Sequence, residues 1–467
     1  MVASGRPILA AHWGLLWVLV AWSAAWLVAV AAARRVPKRY ALGLILVAAA
    51  ALRLAALAGP PTTSDDLYRY AWDGRVQAAG LDSYALPPAA GELTRLREDW
   101  LWPDRAGCAD LHRGPGCTRI NRPAVRTIYP PVAEAWFATV YRVGGTAARH
   151  KSWQVAGLVS DLVTVGLVVM ALRRWGVDER WAALYALCPA PVVEFVNNAH
   201  VDGLAVAMVV AAFVVAVGPS IADGRRPGRP ASSRSAAYRD VAVGLLLGAA
   251  ALVKLYPAVL LIAVLGLPRL RPWLSLLRAS AAAVALAFLS YLPHVIAVGV
   301  HVVGYLPGYL KEEHYEGGGR FLLIGAVGLS GRPATAVAIS IVLASLVWVA
   351  WRKPPAPRAA VAVLCTLFLT TTPVQPWYAV SLVALAGIAV WPEAVAVALA
   401  GYPYFFAVIL DHPHAVALGR ISYGTALAVL LGGQLIRRRR AHDPVLGAPA
   451  RVPGWRESDS PTSVSRH

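Results

Sequence analysis

Residues 8–58 read ILAAHWGLLWVLVAWSAAWLVAVAAA, then RRVPKR, then YALGLILVAAAALRLAALA. The first run is 26 residues long, more than a secretory h-region needs, and it ends in Arg34-Arg35 without a convincing cleavage site. It therefore reads as a retained membrane helix. A basic hexamer and a second apolar run of spanning length follow at once, so the chain crosses, turns on a positively charged loop and crosses back. Outward from here the same alternation repeats. Of the 467 residues 58% are hydrophobic and only 15% charged, with a mean hydropathy of +0.56. A soluble domain would carry about a quarter charged residues. The composition excludes a soluble enzyme on a single anchor and predicts an all-α, polytopic membrane protein.

The formal charge of +19 is an orientation signal rather than a nucleic-acid footprint, because the cations sit in short clusters between apolar runs. These clusters, at 34–39, 173–174, 225–239, 269–278, 352–353 and 437–440, are assigned to the cytoplasmic side. Further spans are expected at 41–58, 153–172, 181–196, 203–217, 279–298, 334–351, 359–372, 378–390, 394–410 and 415–436, which with the first run gives about 11–13 helices. Two regions need separate treatment so that each basic loop falls on the same side. Residues 241–267 are interrupted by Lys254-Leu255-Tyr256-Pro257 and read as two half-helices with Lys254 in a cavity. Residues 132–145, with Glu134 and Arg142, read as a partial or interfacial helix. Residues 1–440 then form one membrane domain and 441–467 a disordered cytoplasmic tail.

In this topology the unusual polar residues collect in the outer segments. The longest, 59–127, holds nine of the 25 acidic residues, balanced by nine arginines. It opens on Ser64-Asp65-Asp66-Leu67-Tyr68-Arg69-Tyr70-Ala71-Trp72-Asp73, an N-cap signal followed by apolar residues at helical spacing, as in an interfacial helix. Two adjacent carboxylates repel, which suits one of them to take a proton from a hydroxyl. Helix capping plus a salt bridge to Arg69 explains the same residues without chemistry. Asn197-Asn198-Ala199-His200-Val201-Asp202 offers amide, imidazole and carboxylate to sugar hydroxyls, or forms a plain polar turn. Lys254 in an apolar stretch calls for an anion, unless its stem snorkels. The loop 305–320 ends His314-Tyr315-Glu316-Gly317-Gly318-Gly319-Arg320, and Gln375-Pro376-Trp377-Tyr378 sets an aromatic pair at the interface. Asp411-His412-Pro413-His414 reads as a turn, so no metal site is expected. Cys108 and Cys117, nine positions apart on the oxidising side, are disulfide candidates, whereas Cys188 and Cys365 fall in apolar spans. No phosphate-cradling loop and no soluble nucleotide-binding fold are present in the sequence.

The stretch 64–84, Ile128-Tyr129-Pro130-Pro131, Asn198-Ala199-His200-Val201-Asp202, Lys254-Leu255-Tyr256-Pro257 and Gln375-Pro376-Trp377-Tyr378 together resemble bacterial integral-membrane mannosyltransferases. These are glycosyltransferase family 87 and the related polyprenol-phosphate-mannose-dependent α-mannosyltransferases of actinobacteria, within the GT-C superfamily. The resemblance implies a polyprenyl-phosphate sugar donor, a glycan or glycolipid acceptor, reaction on the outer face with inversion, and no cofactor or metal. It implies a carboxylate base in the first outer loop, here Asp65 with Asp66 as partner. Lys254 and Arg320 become candidates for the phosphate, His314 for a helper, and His200 and Asp202 for the sugar. Arg69, Tyr70, Asp73, Gln375, Trp377 and Tyr378 complete the expected substrate contacts. Ser83 stands where the family usually has Pro. A transporter or lipid flippase shares the many spans and broken helices, but it commonly has two similar halves and a midplane site; a scaffold protein would not require the acidic pair.

Overall fold

The computed structural model describes residues 13–145, 149–218, 233–315 and 320–442. Among these every regular element is helical, and seven helices are long and apolar enough to cross a membrane. They are α1 (Gly14–Ala33), α2 (Lys38–Ala56), α5 (Arg149–Arg174), α8 (within Pro272–Glu312; α-helical over Pro272–Val298), α9 (Gly331–Arg352), α12 (Pro392–Ile409) and α13 (Ala415–His442). Between them lie α3 (Asp66–Ala78), α4 (Pro131–Gly144), α6 (Asp202–Ala216), α7 (Ser233–Ala251), α10 (Ala356–Thr370) and α11 (Val380–Ala389). The chain is a multi-pass membrane protein.

The helices sort into two classes by what covers them. On α2, α8, α9 and α13 the residues Leu44, Val47, Phe288, Ile296, Val347 and Ile421 point outward and expose large apolar surface, as lipid-facing positions do. α11 is buried at all ten positions and α6 at eleven of its fifteen. Close approach in the bundle depends on small residues. A Cβ on Gly244 of α7 would stand 2.1 Å from the Ala279 carbonyl oxygen of α8, and one on Gly248 would stand 2.8 Å from Ala283 Cα. That is a small-xxx-small contact on both helices.

Two expected spans take another form. Residues 181–196 are not one helix: a 3₁₀ turn (Glu179–Ala182) leads through Ala183–Ala186 to a break at Cys188-Pro189, and the segment ends in a π-helical turn, Val192–Asn197. Pro189 and Pro191 lack the amide protons a continuous helix requires, and irregular backbone is tolerated here because the segment is buried in protein. Gly157 on α5 makes the room, since a Cβ there would lie 1.9 Å from the Phe195 carbonyl oxygen. Residues 241–267 do break at Lys254, but the first piece is the full helix α7, and the second, Tyr256–Gly266, is a 3₁₀ helix. α4 packs on α3 as an amphipathic partner. The helix α13 runs on to His442, past the expected start of the tail; the remainder of that tail, Glu316 and Gly317 to Gly319 lie outside the described residues.

A buried ion pair fastens the broken segment. Arg53 Nε meets Asp161 Oδ2 at 2.6 Å, both side chains fully buried, and Arg53 Nη1 donates to the Ala186 and Ala49 carbonyls at 2.7 and 3.1 Å. The Tyr185 hydroxyl donates to the other Asp161 oxygen. Helices α2 and α5 are thereby tied to residues 185–186.

Candidate active site

The loop leading to the acidic pair is held by the two asparagines of 197–198. Asn197 Oδ1 accepts from Thr62 N and Oγ1 at 3.1 and 2.6 Å, and its Nδ2 donates to the Ala56 and Pro60 carbonyls at 3.2 and 3.1 Å. Asn198 Oδ1 accepts from Thr62 N and Thr63 N, each at 3.1 Å. Gln154 Nε2 on α5 adds bonds to Gly59 O and Asn197 O at 3.1 and 2.7 Å. The two asparagines are thus engaged by the 56–63 backbone and by Thr62, Thr63 and Glu194, which leaves His200 and Asp202 as the polar side chains of 197–202 nearest Asp66 and Lys254.

Asp65 occupies the N-cap position of α3 but makes no side-chain capping bond; Ser64 Oγ accepts from Asp66 N at 3.2 Å instead. Arg69 does not approach the pair either. It bonds Asp73 through Nε at 3.0 Å and the Val125 carbonyl through Nη1 at 3.1 Å. Capping and a salt bridge to Arg69 therefore do not account for Asp65 and Asp66. One amide joins the two carboxylates: Asn121 Nδ2 donates to Asp65 Oδ1 at 3.2 Å and to Asp66 Oδ1 at 2.6 Å. Burial, and next the charge of Asp66, push the Asp65 carboxyl above its ordinary range, with Asn121 and Arg113 acting in the opposite direction.

Behind Asp66 stands a buried row of titratable groups. Asp66 Oδ2 lies 3.5 Å from His200 Nδ1, and His200 Nε2 lies 3.5 Å from Glu194 Oε2. The imidazole stacks on Trp377, ring centroids 3.9 Å apart and planes 15° from parallel. Glu194, on the π-helical turn, accepts from the Tyr402 hydroxyl at 2.7 Å and from Asn198 Nδ2 at 3.3 Å. On the neighbouring wall Lys254 Nζ stands 3.6 Å from Asp202 Oδ2, and 5.0 and 4.8 Å from the Tyr129 and Tyr378 ring centroids. Neither Asp202 oxygen accepts a hydrogen bond. Tyr70, one helical turn beyond Asp66, is edge-on to Tyr129 at 5.2 Å. The result is an acid pair, an imidazole and an ammonium brought together among the rings of Tyr129, Trp377 and Tyr378, a combination suited to taking a proton and holding an anion.

Asp65, Asp66, Tyr70, His200, Asp202, Lys254, Trp377 and Tyr378 thus come together. Arg69 and Asp73 do not: they are buried and pair with each other through Arg69 Nε. His314 is exposed, with left-handed backbone at φ 56°. Arg320 is buried, but its guanidinium is engaged by Glu313 and by the Thr371 and Pro373 carbonyls at 3.3 and 2.6 Å, so it ties the 305–320 loop to residues 371–373. Gln375 is half-buried, and its carbonyl closes a turn onto Tyr378 N at 3.0 Å. His412 and His414 form the expected turn, His412 Nδ1 accepting from His414 N at 3.1 Å. Cys108 and Cys117 are joined in a disulfide, Cα atoms 5.8 Å apart, and Cys188 and Cys365 are free and buried. Sequence reasoning missed Glu194, Asn121, Tyr129 and Tyr402. Glu194 carried a signal, a lone acid inside an apolar run; Asn121 carried none.

The sequence matches glycosyltransferase family 87 over residues 128–376. No curated protein matches the chain. Among solved structures it is similar to that of ArnT from Cupriavidus metallidurans bound to undecaprenyl phosphate, at 17% identity and a TM-score of 0.45, over 85% of this chain and 78% of that one. It is also similar to the oligosaccharyltransferase AglB from Archaeoglobus fulgidus in complex with an inhibitory peptide and a dolichol-phosphate. There the identity is 10% and the TM-score 0.40, over 91% of this chain and 62% of that one.

Proposed function

The chain belongs to glycosyltransferase family 87, and we propose that it transfers a hexose, mannose in the first place, from a polyprenyl-phosphate donor to a glycan or glycolipid acceptor on the extracytoplasmic face. Residues 1–440 act as one catalytic membrane domain, with 59–127 supplying the base. The donor stores the reaction's energy in its sugar–phosphate bond, so the protein needs to orient two substrates, accept a proton and stabilise a leaving phosphate.

In this reading the acceptor hydroxyl oxygen attacks C1 of the sugar from the side opposite the phosphate, which inverts that centre. Its proton passes to the Asp65 carboxylate as the C1–O bond breaks, and the bonding pair leaves with the polyprenyl phosphate. Lys254 faces that developing charge. Its ammonium is set on aromatic faces and 3.6 Å from Asp202, a partner it can share with an incoming phosphate. Asp66 shares the Asn121 amide with Asp65 and has His200 Nδ1 3.5 Å from its other oxygen. Apolar grooves between the helices take the polyprenyl tail.

The observation that carries the reading is an acidic pair at a helix start that neither caps the helix nor pairs with the adjacent arginine. Asp65→Asn and Asp66→Asn variants assayed with polyprenyl-phosphate-[³H]mannose in membranes test it. Loss of a positioned base costs about 10²–10⁴-fold; undiminished transfer by both variants overturns the proposal. Sidedness is tested by Thr94→Cys, an exposed position of the 59–127 segment. Labelling of that thiol by an impermeant maleimide only from the cytoplasm would reverse the topology.

A further inference from the structure

A cavity of about 640 Å³ opens beside the first turn of α3, against Tyr68. Its walls come from the 59–127 segment and the first turn of α5, and they include Tyr68, Asp99, Trp100, Asp104, Arg119 and Arg149. Tyr68 lies one turn along α3 from Asp65, its N–H donating to the Asp65 carbonyl at 3.1 Å. Of the two carboxylates, Asp66 turns its Oδ2 to His200, whereas Asp65 sits one turn from Tyr68 on the cavity wall.

The lining differs from the Lys254 side. Tyr68 and Trp100 present two rings 5.8 Å apart, inclined at 57°, a concave aromatic corner for the C–H faces of a sugar. Two carboxylates and two guanidiniums surround it, groups that take and give the paired hydrogen bonds of vicinal hydroxyls. The corner is fixed in advance of any ligand. Trp100 Nε1 donates to Glu98 Oε2 at 3.0 Å, and Arg119 N donates to Leu101 O at 2.8 Å. The Cys108–Cys117 disulfide closes the loop that carries the wall, and Pro60, on the floor, is held by Asn197. A volume of this size is in the range of sites that enclose a whole small ligand rather than one functional group.

We infer that this cavity is the acceptor subsite, taking a glycan of at least two sugar units whose terminal hydroxyl is presented to Asp65, while the donor phosphate occupies the Lys254 side. The inference rests on the glycosyl-transfer reading above. Its two carboxylates and two guanidiniums favour a neutral carbohydrate, whereas Lys254, 3.6 Å from Asp202, is left to the donor phosphate.

Protection of an introduced thiol provides a test that does not depend on turnover. Asp99 is exposed on the cavity wall, and the natural cysteines are buried or in the disulfide. In purified Asp99→Cys protein, octyl α-dimannoside should slow maleimide labelling at least fivefold, and undecaprenyl phosphate should leave it unchanged. The reverse pattern, or protection by neither, overturns the assignment. In transfer assays, Trp100→Ala and Arg119→Met should raise KM for octyl α-dimannoside about tenfold with donor KM within twofold, and Trp100→Phe should recover most of the loss. A rise in donor KM alone overturns it too. Wild-type protein that discharges the donor to water but accepts no dimannoside sinks the glycan assignment and spares the transferase reading; no donor turnover by wild type at all sinks that reading itself.

Discussion

Two of the buried ion pairs among the described residues, Arg53–Asp161 and Lys254–Asp202, differ in how well their carboxylates are satisfied. Arg53 and Asp161 meet at 2.6 Å, and both Asp161 oxygens accept hydrogen bonds. Lys254 and Asp202 are 3.6 Å apart, and both Asp202 oxygens lack a hydrogen bond within the protein. A charge inside a membrane domain is costly wherever it lies. The first pair spends its interactions on joining α2 and α5 to a broken segment. The second keeps polar capacity in reserve beside an acidic pair, and the difference separates a structural pin from a proposed binding group.

Breaking each pair at its cation sharpens the contrast. Arg53→Met leaves Asp161 buried without its counter-charge, and the expected loss is about 3–5 kcal/mol, read as a large drop in the thermal midpoint of the detergent-solubilised protein. Arg53→Met combined with Asp161→Leu should regain much of it. Lys254→Met breaks a pair that stands at 3.6 Å rather than 2.6 Å, so it is expected to lower the midpoint less than Arg53→Met does and to lose transfer by about 10²–10³-fold, the scale of removing one preorganised charge stabiliser. If Lys254→Met unfolds the protein while Arg53→Met merely slows transfer, the roles of the pairs are interchanged.

The row behind Asp66 is expected to matter less. Glu194 faces His200 from the far side, its Oε2 3.5 Å from Nε2, and the proposed reaction routes no proton through it. Glu194→Gln has one oxygen where the carboxylate uses two to accept from Tyr402 and Asn198, and it should slow transfer about tenfold, the worth of roughly one hydrogen bond of 1–1.5 kcal/mol, with donor and acceptor KM little changed. A Tyr402→Phe variant should fall between that and wild type.

The sequence made the class of fold readable because apolar runs and basic clusters obey one solvent rule along the whole chain. It also exposed the acidic pair, His200, Asp202 and Lys254, since each is a polar residue in an apolar context. What it hid depends on three-dimensional partnership. Arg69 and Asp73 look like site residues because they follow the acidic pair at helical spacing, yet spacing by four lets them satisfy each other. Arg320 looks like a free cation until the fold supplies Glu313 and two carbonyls. Asn121 lies 55 residues from Asp66 in the chain, a distance at which no periodicity operates. The span 181–196 failed for a local reason, two prolines whose effect depends on the segment being enclosed.

The smallest effect is the most specific to the acidic pair. Burial and the neighbouring Asp66 raise the Asp65 carboxyl above its ordinary value, so the proposed base loses its charge at a higher pH than a free aspartate, near 3.9. The acid limb of kcat/KM for transfer should therefore lie above that value, with activity rising as pH increases through the raised pKa. The Asn121 bond lowers that pKa; Asn121→Ala removes it, so the limb should move to higher pH while the plateau at alkaline pH changes little. The same sign governs stability. A carboxyl whose folded pKa is raised disfavours the folded state once pH exceeds its unfolded pKa, and the penalty is complete above the folded one. Asp65→Asn removes a charge that folding must bury, so its thermal midpoint at neutral pH should equal or exceed that of wild type even as transfer is lost, the pattern of a group retained for chemistry at a cost in stability. A lower midpoint, together with an acid limb unmoved by Asn121→Ala, would mean that the amide and the acidic pair serve the fold rather than the reaction.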